Sequence, residues 1–364
     1  MILLFYFYLI TLNVSVFCDH YYEEYCDHNV TIYNTDKHYS LIKCDETMHN
    51  LEEFTLPVRK ITVKNLIRFK DCNIPKKFKV SKITNDLGIK VTWLTFDNTT
   101  SLTKDNLVGF ENLKHLLISK PNISNLEPDL LKNLSNLELL CLEDFKKIPH
   151  NFFKYSSKLK TLEIKFNDST IRPDTFNGLG NLTHLQLKMA NINYTKEDFQ
   201  FDGFTSLKSL EIAHRTLNEL PEWLFKSLIN VETITVLFCF LQANLIPGVD
   251  DKQNYEIEHS KDVILPDDIF ANLKSLKSLS LKSIEKKNLT ENVFSKNFDM
   301  LQNLTIYKYH GTTLPEKIFF NTRNLKVLQI TNNYLTSLPT DIFKNLKNLE
   351  FLDLSNNQFE KLDL

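Results

Sequence analysis

The stretch LPTDIFKNLKNLEFLDLSNNQFEKL, residues 338–362, decides how the rest of the chain is read. It contains the spacing Leu349-x-x-Leu352-x-Leu354-x-x-Asn357. Leu352 and Leu354 alternate with Phe351, Asp353 and Ser355, so a short strand turns its leucines inward and the other set outward. Asn357 falls where that strand gives way to a turn, and its side-chain amide can satisfy backbone groups left open by the bend. Phe359 and Leu362 then return to the same core. One unit of this size cannot bury its apolar face alone, so stacked neighbours are required.

The neighbours are present. The first leucine of the pattern, or a valine in its place, recurs at Val58, Val91, Leu113, Leu137, Leu159, Leu182, Leu207, Val231, Leu276, Leu301, Leu325 and Leu349. Most steps are 22 to 25 residues; Val58 to Val91 is 33 and Val231 to Leu276 is 45. A second signature, LPDDIFANL at 265–273 and LPTDIFKNL at 338–346, accompanies several units. This period and pattern define a leucine-rich repeat. The fold class is therefore α/β: a leucine-rich-repeat solenoid, a curved horseshoe with a parallel sheet on its concave face and a cysteine-containing cap at the N-terminus. Strands are expected to centre on Leu94, Leu116, Leu140, Leu162, Leu185, Leu210, Ile234, Leu279, Leu304, Leu328 and Leu352.

In a solenoid each repeat contacts only its neighbours, so 364 residues form one continuous domain. The expected organisation is a signal peptide at 1–18, a cap with the first repeat at 19–90, and repeats at 91–241. An insertion loop at 242–262 precedes further repeats at 263–364, which leave an open C-terminal end. The leader reading rests on ILLFYFYLITL (2–12), an apolar run too short to span a bilayer. No later stretch reaches 18 apolar residues, so no membrane span is expected in this chain. Lys and Arg number 43 against 45 Asp and Glu, a balance that gives no case for a nucleic-acid partner. Phe is abundant at 27 and Gly scarce at 7, which fits a core of stacked phenylalanines with few glycine turns.

An exported chain is expected to carry disulfides and glycans. Cys44 and Cys72 bracket the start of the repeats, and a bridge between them would close the cap; wide spacing argues against zinc. Cys26 has no evident partner unless the leader is cut before Cys18. Cys239 occupies the Asn position of its unit and should be buried, whereas Cys141 falls at an outward strand position and should be a half-exposed, incidental thiol. Nine Asn-x-Ser/Thr sequons follow the leader, at Asn29, Asn98, Asn122, Asn133, Asn167, Asn181, Asn193, Asn288 and Asn303. Asn303 stands at an outward strand position, so a glycan there would lie on the concave face. The insertion, with Asp250, Asp251, Glu256 and Glu258, reads as a binding loop, a solvated loop or a degenerate extra repeat.

No enzyme constellation is present: there is no glycine-rich phosphate loop, no HExxH and no G-x-S-x-G. No cofactor or metal is expected. The strand residues that alternate with the buried leucines form the candidate ligand-binding face: Trp93, Thr95, Asp97, His115, Leu117, Ser119, Thr161, Glu163, Lys165, His184, Gln186 and Lys188. A broad sheet of this mixed character suits a protein partner.

Three stretches, IKC (42–44), DCNIPKKFKV (71–80) and DLGIKVTWLTFDN (86–98), follow one order. A cysteine-bearing cap comes first, then a second cysteine before Pro-Lys-Lys, a Leu-Gly-Ile segment, and repeats with LP-x-x-hydrophobic-Phe. In this order the chain resembles the ectodomain of insect Toll receptors, of the Toll-like receptor family, over the N-terminal portion of that ectodomain. The resemblance implies an extracellular receptor domain of innate immunity or development. It implies a Spätzle-like dimeric cystine-knot cytokine as ligand, bound on the cap and the N-terminal concave face, with receptor pairing on ligand binding. It also implies a cell-surface location if the full-length chain continues into a membrane span and a signalling domain. Residues 242–262 match nothing in that family, and Cys26 lacks the partner that its additional cysteines supply. The repeats alone also fit a secreted or matrix-associated protein that mediates adhesion without cytokine signalling.

Overall fold

The structure, a computed structural model, describes most of residues 66–360 and the backbone of three short strands between residues 26 and 44. Residues 1–25, 45–65, 83–90, 120–125, 167–174, 190–202, 215–223, 238–264, 285–288 and 361–364, with a few shorter breaks, lie outside the description. Fifteen strands form one sheet in strictly sequential order. They are β1 (Cys26–Asp27), β2 (Val30–Asn34), β3 (Tyr39–Cys44), β4 (Leu66–Lys70), β5 (Trp93–Asp97), β6 (His115–Ser119), β7 (Leu139–Phe145) and β8 (Thr161–Phe166). The remainder are β9 (His184–Met189), β10 (Ser209–His214), β11 (Thr233–Leu237), β12 (Ser278–Lys282), β13 (Asn303–Tyr307), β14 (Val327–Thr331) and β15 (Phe351–Asp353). β1, β2 and β3 pair antiparallel; every pair from β3 onward is parallel.

All eleven anticipated strand centres stand directly opposite one another along this ladder, from Leu94 against Leu116 to Leu328 against Leu352. From Leu94 to Leu328 they are essentially without solvent exposure. Register is pinned because sliding a strand by one residue would turn its apolar set outward. Phenylalanines add a second internal row: Phe153 stacks on Phe176 at 6.4 Å, Phe225 on Phe270 at 5.6 Å and Phe319 on Phe343 at 6.2 Å. The side away from the sheet is built of turns. Among the described residues helix is confined to residues 81–82 and the 3-10 turn Lys104–Leu107.

Two repeated backbone features explain the turns. Four residues after the strand centre the chain adopts the left-handed conformation, at Asp71, Asn98, Asp144, Asn332 and Asn356, where Asp and Asn tolerate positive φ better than most residues, and also at Ser283 and Lys308. The same conformation recurs at Asn151, Asp268 and Asp341, the fourth residue of each (L/I)-P-x-(D/N) signature. There the proline carbonyl accepts from the next backbone N–H, as in Ile342 to Pro339 at 3.3 Å. Asn357 does what its position requires, donating to the carbonyls of Ile330 at 2.6 Å and Leu354 at 2.8 Å. Asn333 repeats this one rung back, donating to Ile306 and accepting from the Tyr309 N–H at 2.7 Å. Earlier rungs put Thr99, Phe145, Ile284 or Tyr309 at that place. Tyr309 lies so close to Gly311 that a Cβ there would meet its ring at 2.3 Å, so only glycine fits.

The structure revises two sequence readings and narrows a third. β4 pairs Leu66 with Trp93, a step of 27 residues, so the rung that precedes Trp93 is Leu66–Lys70 and its step is not the 33 counted from Val58. Tyr39–Cys44, within the segment read as non-repetitive, pairs parallel with β4 and adds a further rung. β11 and β12 are direct neighbours, with Thr233 opposite Ser278. The 45-residue step therefore holds no extra rung in the sheet. Residues 242–262 and Cys239 themselves lie outside the described residues, as does the leader.

Candidate functional site, the open face of the sheet

In every parallel strand one set of residues packs on the core and the alternate set forms the open face. Three rows run along that face. The first holds Leu66, Trp93, His115, Leu139, Thr161, His184, Ser209, Thr233, Ser278, Asn303, Val327 and Phe351. The second runs from Arg68 and Thr95 through Leu117, Cys141, Glu163, Gln186 and Glu211, and the third from Lys70 and Asp97 through Ser119, Glu143, Lys165 and Lys188. Every candidate ligand-binding residue read from the sequence stands in one of these rows.

Their accessibility differs. Trp93, His115, Leu117, Glu163, Lys165, Gln186 and Lys188 are partly exposed and His184 is exposed, but Thr95 and Asp97 are buried. Asp97 is covered by its own ion pair: Arg68 Nη2 reaches Oδ2 at 2.7 Å, and the Ser119 hydroxyl donates to Oδ1 at 3.1 Å. Cys141 is also buried, with 3% exposure, and not the half-exposed thiol its strand position suggested. Strands about 4.8 Å apart let longer neighbours close over a short side chain. Burial, reinforced by Glu143 and Glu163, pushes the Cys141 pKa far up.

The face changes character along its length. At β4–β7 apolar and aromatic side chains gather, with Leu66, Leu117 and Leu139 beside Trp93, which meets His115 edge to face at 4.9 Å, and the charges there are Arg68, paired with Asp97, Lys70 and Glu143. At β7–β10 it is charged, with Glu143, Glu163 and Glu211 among Lys165 and Lys188; Lys165 also pairs with Asp144 at 3.2 Å. Burial raises the Glu163 pKa, opposed by Lys188 and aided by Glu143 and Glu211. Burial lowers the pKa of both His115 and His184, so each presents a neutral imidazole at pH 7. At β11–β13 the first two rows are uncharged and hydroxyl-bearing, with Thr233, Thr235, Ser278, Ser280 and Thr305, while the third row holds Leu237, Lys282 and Tyr307.

Beside the first row, one residue before each strand, runs a ladder that sequence reading missed: Lys114, Glu138, Lys160, Thr183, Lys208, Glu232, Lys277, Gln302, Lys326 and Glu350. Glu138 pairs with Lys114 at 3.2 Å and Lys160 at 3.1 Å; Glu232 pairs with Lys208 at 3.0 Å and Lys277 at 2.8 Å. The signal was available, since aligning the repeats by their first leucine puts these residues in one column.

Of the sequons, Asn98, Asn133, Asn181 and Asn303 are described; Asn29, Asn122, Asn167, Asn193 and Asn288 lie outside the described residues. The amides of Asn98, Asn133 and Asn181 donate to Asp71, to the Lys104 carbonyl and to the Ser157 carbonyl. Asn303 is exposed, in the first row of the open face. Cys72 is disulfide-bonded, and its partner's side chain lies outside the described residues. Among the described residues no group of three or more His, Cys, Asp or Glu is placed to hold a metal, and no helix is long and apolar enough to cross a membrane.

Comparison with known proteins agrees with the repeat architecture. The model of the BspA type leucine rich repeat region matches residues 87–200 and 124–240, and a leucine rich repeat model matches 299–359. Volume-regulated anion channel subunit LRRC8B of Mus musculus is 31% identical over 124 residues, which are 33% of this chain and 15% of that protein. Among solved structures the fold is similar to the Toll–Spatzle complex, a molecular hub in Drosophila development and innate immunity. There the TM-score is 0.63 at 20% identity, covering 94% of this chain and 48% of the other. The glycosylated form of that complex gives a TM-score of 0.56 at 23% identity, covering 92% and 49%. This chain thus spans about half the length of these two solved chains.

Proposed function

We propose that this chain, a leucine-rich-repeat protein, is the extracellular ligand-binding part of a Toll-type receptor of innate immunity or development. In this reading a dimeric, Spätzle-like cystine-knot cytokine docks on the cap and on the open face of β4–β9. The observation that carries it is the gradient along that face. Leu66, Trp93, Leu117 and Leu139 give partly exposed apolar and aromatic anchors beside the cap, and a charged zone flanks them at β7–β10. Central aromatic anchors with a polar surround are how protein interfaces concentrate their affinity. The ladder of Lys and Glu beside the first row is already paired within the protein. It contributes little net attraction, so the anchors and the open-face charges are what a ligand reads.

The test is binding of a recombinant dimeric cystine-knot cytokine to the folded, glycosylated chain. Trp93→Ala should weaken binding by tenfold or more, about the 1.4 kcal/mol or above typical of an interface anchor. Tyr307→Ala, on the same face at β13, should leave affinity within about twofold. Equal loss from both, or loss from Tyr307→Ala alone, removes the N-terminal docking reading. No binding by wild-type chain favours the adhesion alternative.

A further inference from the structure

We propose that an N-linked oligosaccharide at Asn303 is held down by the protein's own sheet, so that carbohydrate closes the open face at β11–β13. The inference rests on the export that the proposed function requires, and otherwise on geometry. Asn303 is an exposed strand residue on the open face, and its amide makes no hydrogen bond with the described residues. The amides of Asn98, Asn133 and Asn181 are each engaged by protein.

The surface around Asn303 is built for a sugar. Ser278 lies directly opposite it on β12, and Thr233 opposite Ser278 on β11. Ser280 and Thr235 stand in the next row. Their four hydroxyls are partly exposed and make no side-chain hydrogen bond among the described residues. Each hydroxyl both donates and accepts, which matches the mixed hydroxyl and acetamido groups of the chitobiose core. Two strand spacings, roughly 10 Å, bring the core from Asn303 across both strands. Tyr307, four residues along β13 on the same face and partly exposed, offers a ring against which a sugar face can pack, with Lys308 Nζ 5.6 Å from the ring centroid and Lys282 opposite it on β12. The N-terminal half differs, because charged and bulky side chains there cover one another, as Arg68 covers Asp97 at 2.7 Å.

Protection from a glycosidase reads the docking directly. The chain is secreted from cells whose mannosidases are inhibited, so every glycan is a substrate for endoglycosidase H, and release is followed site by site by glycopeptide mass spectrometry. Native release at Asn303 should be at least about tenfold slower than at Asn181, the factor that about 1.4 kcal/mol of docking supplies. Denaturation should abolish the difference. Thr235→Glu with Ser280→Glu, which fills the bed and leaves the sequon intact, should bring native release at Asn303 up to the Asn181 rate. Thermal unfolding of that variant checks that it folds. Equal native rates at the two sites in wild type overturn the docking, as does a bare Asn303 beside an occupied Asn98 or Asn181. A chain retained inside the cells and bare at every sequon would overturn the extracellular reading as well.

Discussion

Lys277 Nζ lies 2.8 Å from Glu232 Oε2, although 45 residues separate the two in sequence. The pair shows that the long connection between β11 and β12 leaves the repeat geometry undisturbed at the sheet. Lys277 and then Lys208 donate to the Glu232 carboxylate and hold its pKa below the ordinary 4.5. A carboxyl with a lowered folded pKa adds stability above its unfolded pKa and loses it as pH falls through the folded value. Glu232→Gln should therefore lower the melting temperature at pH 7. The gap from wild type should narrow as pH falls below the unfolded carboxylate range, about 4.3, and close once the folded value is passed. Glu138→Gln should behave likewise, since Lys160 and Lys114 lower that carboxyl too. Because these groups are exposed, 1 M salt, with a screening length of about 3 Å, should shrink both effects. A difference that persists undiminished at pH 3 would show that the ladder acts through packing instead.

Asn333 is 4% exposed and ties two backbone groups together, accepting from the Tyr309 N–H and donating to the Ile306 carbonyl. Asn333→Ala leaves the Tyr309 N–H without its acceptor, and should cost about 1–3 kcal/mol, the penalty of a buried unsatisfied donor. Urea unfolding measures it. A cost below about 0.5 kcal/mol would mean that the turn rearranges to pair Tyr309 elsewhere.

Leu328 and Leu352 occupy the same column, yet Leu328 is fully buried and Leu352, on the last described rung, is only partly so. Leu328→Ala should cost about 2–5 kcal/mol, the loss for a leucine enclosed on all sides. Leu352→Ala should cost less than half of that. Equal values in equilibrium unfolding would indicate that the last rung is covered in solution.

How much was legible follows from what each position needs. The strand centres could be read because Leu and Ile recurring every 22 to 25 residues reach a common core only when successive rungs stack in register. The rows of the open face then followed from alternation alone. What escaped was whatever depends on neighbouring rungs. Cys141 and Asp97 face outward by alternation, but cross-strand neighbours bury them. The Lys–Glu ladder exists only between repeats, so no single repeat announces it. β4 was misplaced because Val58 satisfied the leucine pattern locally, while the pairing of Leu66 with Trp93 is decided by the next strand.

Cys72 yields a chemical prediction. Cys72 is disulfide-bonded, and β3 ends at Cys44 one step beyond Lys43, which stands opposite Lys70. That backbone register brings residue 44 alongside the start of the 71–72 turn and supports a Cys44–Cys72 bridge. Non-reduced peptide mapping of secreted protein should recover that linked pair. Cys72→Ser should cost about 2–5 kcal/mol, as losing a native bridge usually does. Recovery of Cys72 joined to Cys26 would reassign the cap.

Glu163 should behave in the opposite sense to Glu232. Burial raises its pKa above 4.5, with Glu143 on β7 and Glu211 on β10 adding to the shift and Lys188 on β9 opposing it. An acid whose folded pKa is raised carries no penalty below its unfolded pKa. The penalty appears as pH climbs from about 4.5 and is complete once the folded value is passed. Glu163→Gln keeps the shape and an acceptor for the Cys141 thiol but carries no charge to bury. Its melting temperature should match wild type at pH 4 and exceed it at pH 7. Lys188→Gln removes the group that opposes the shift, so it should lower the melting temperature at pH 7, where Glu163 is most ionised, and affect it less at pH 4. If Glu163→Gln instead melts below wild type at pH 7, the Lys188 attraction outweighs burial, and the charged zone of the open face stabilises the fold. If it melts higher, that zone is kept at a cost to stability, which is how a surface retained for a ligand differs from one retained for the fold.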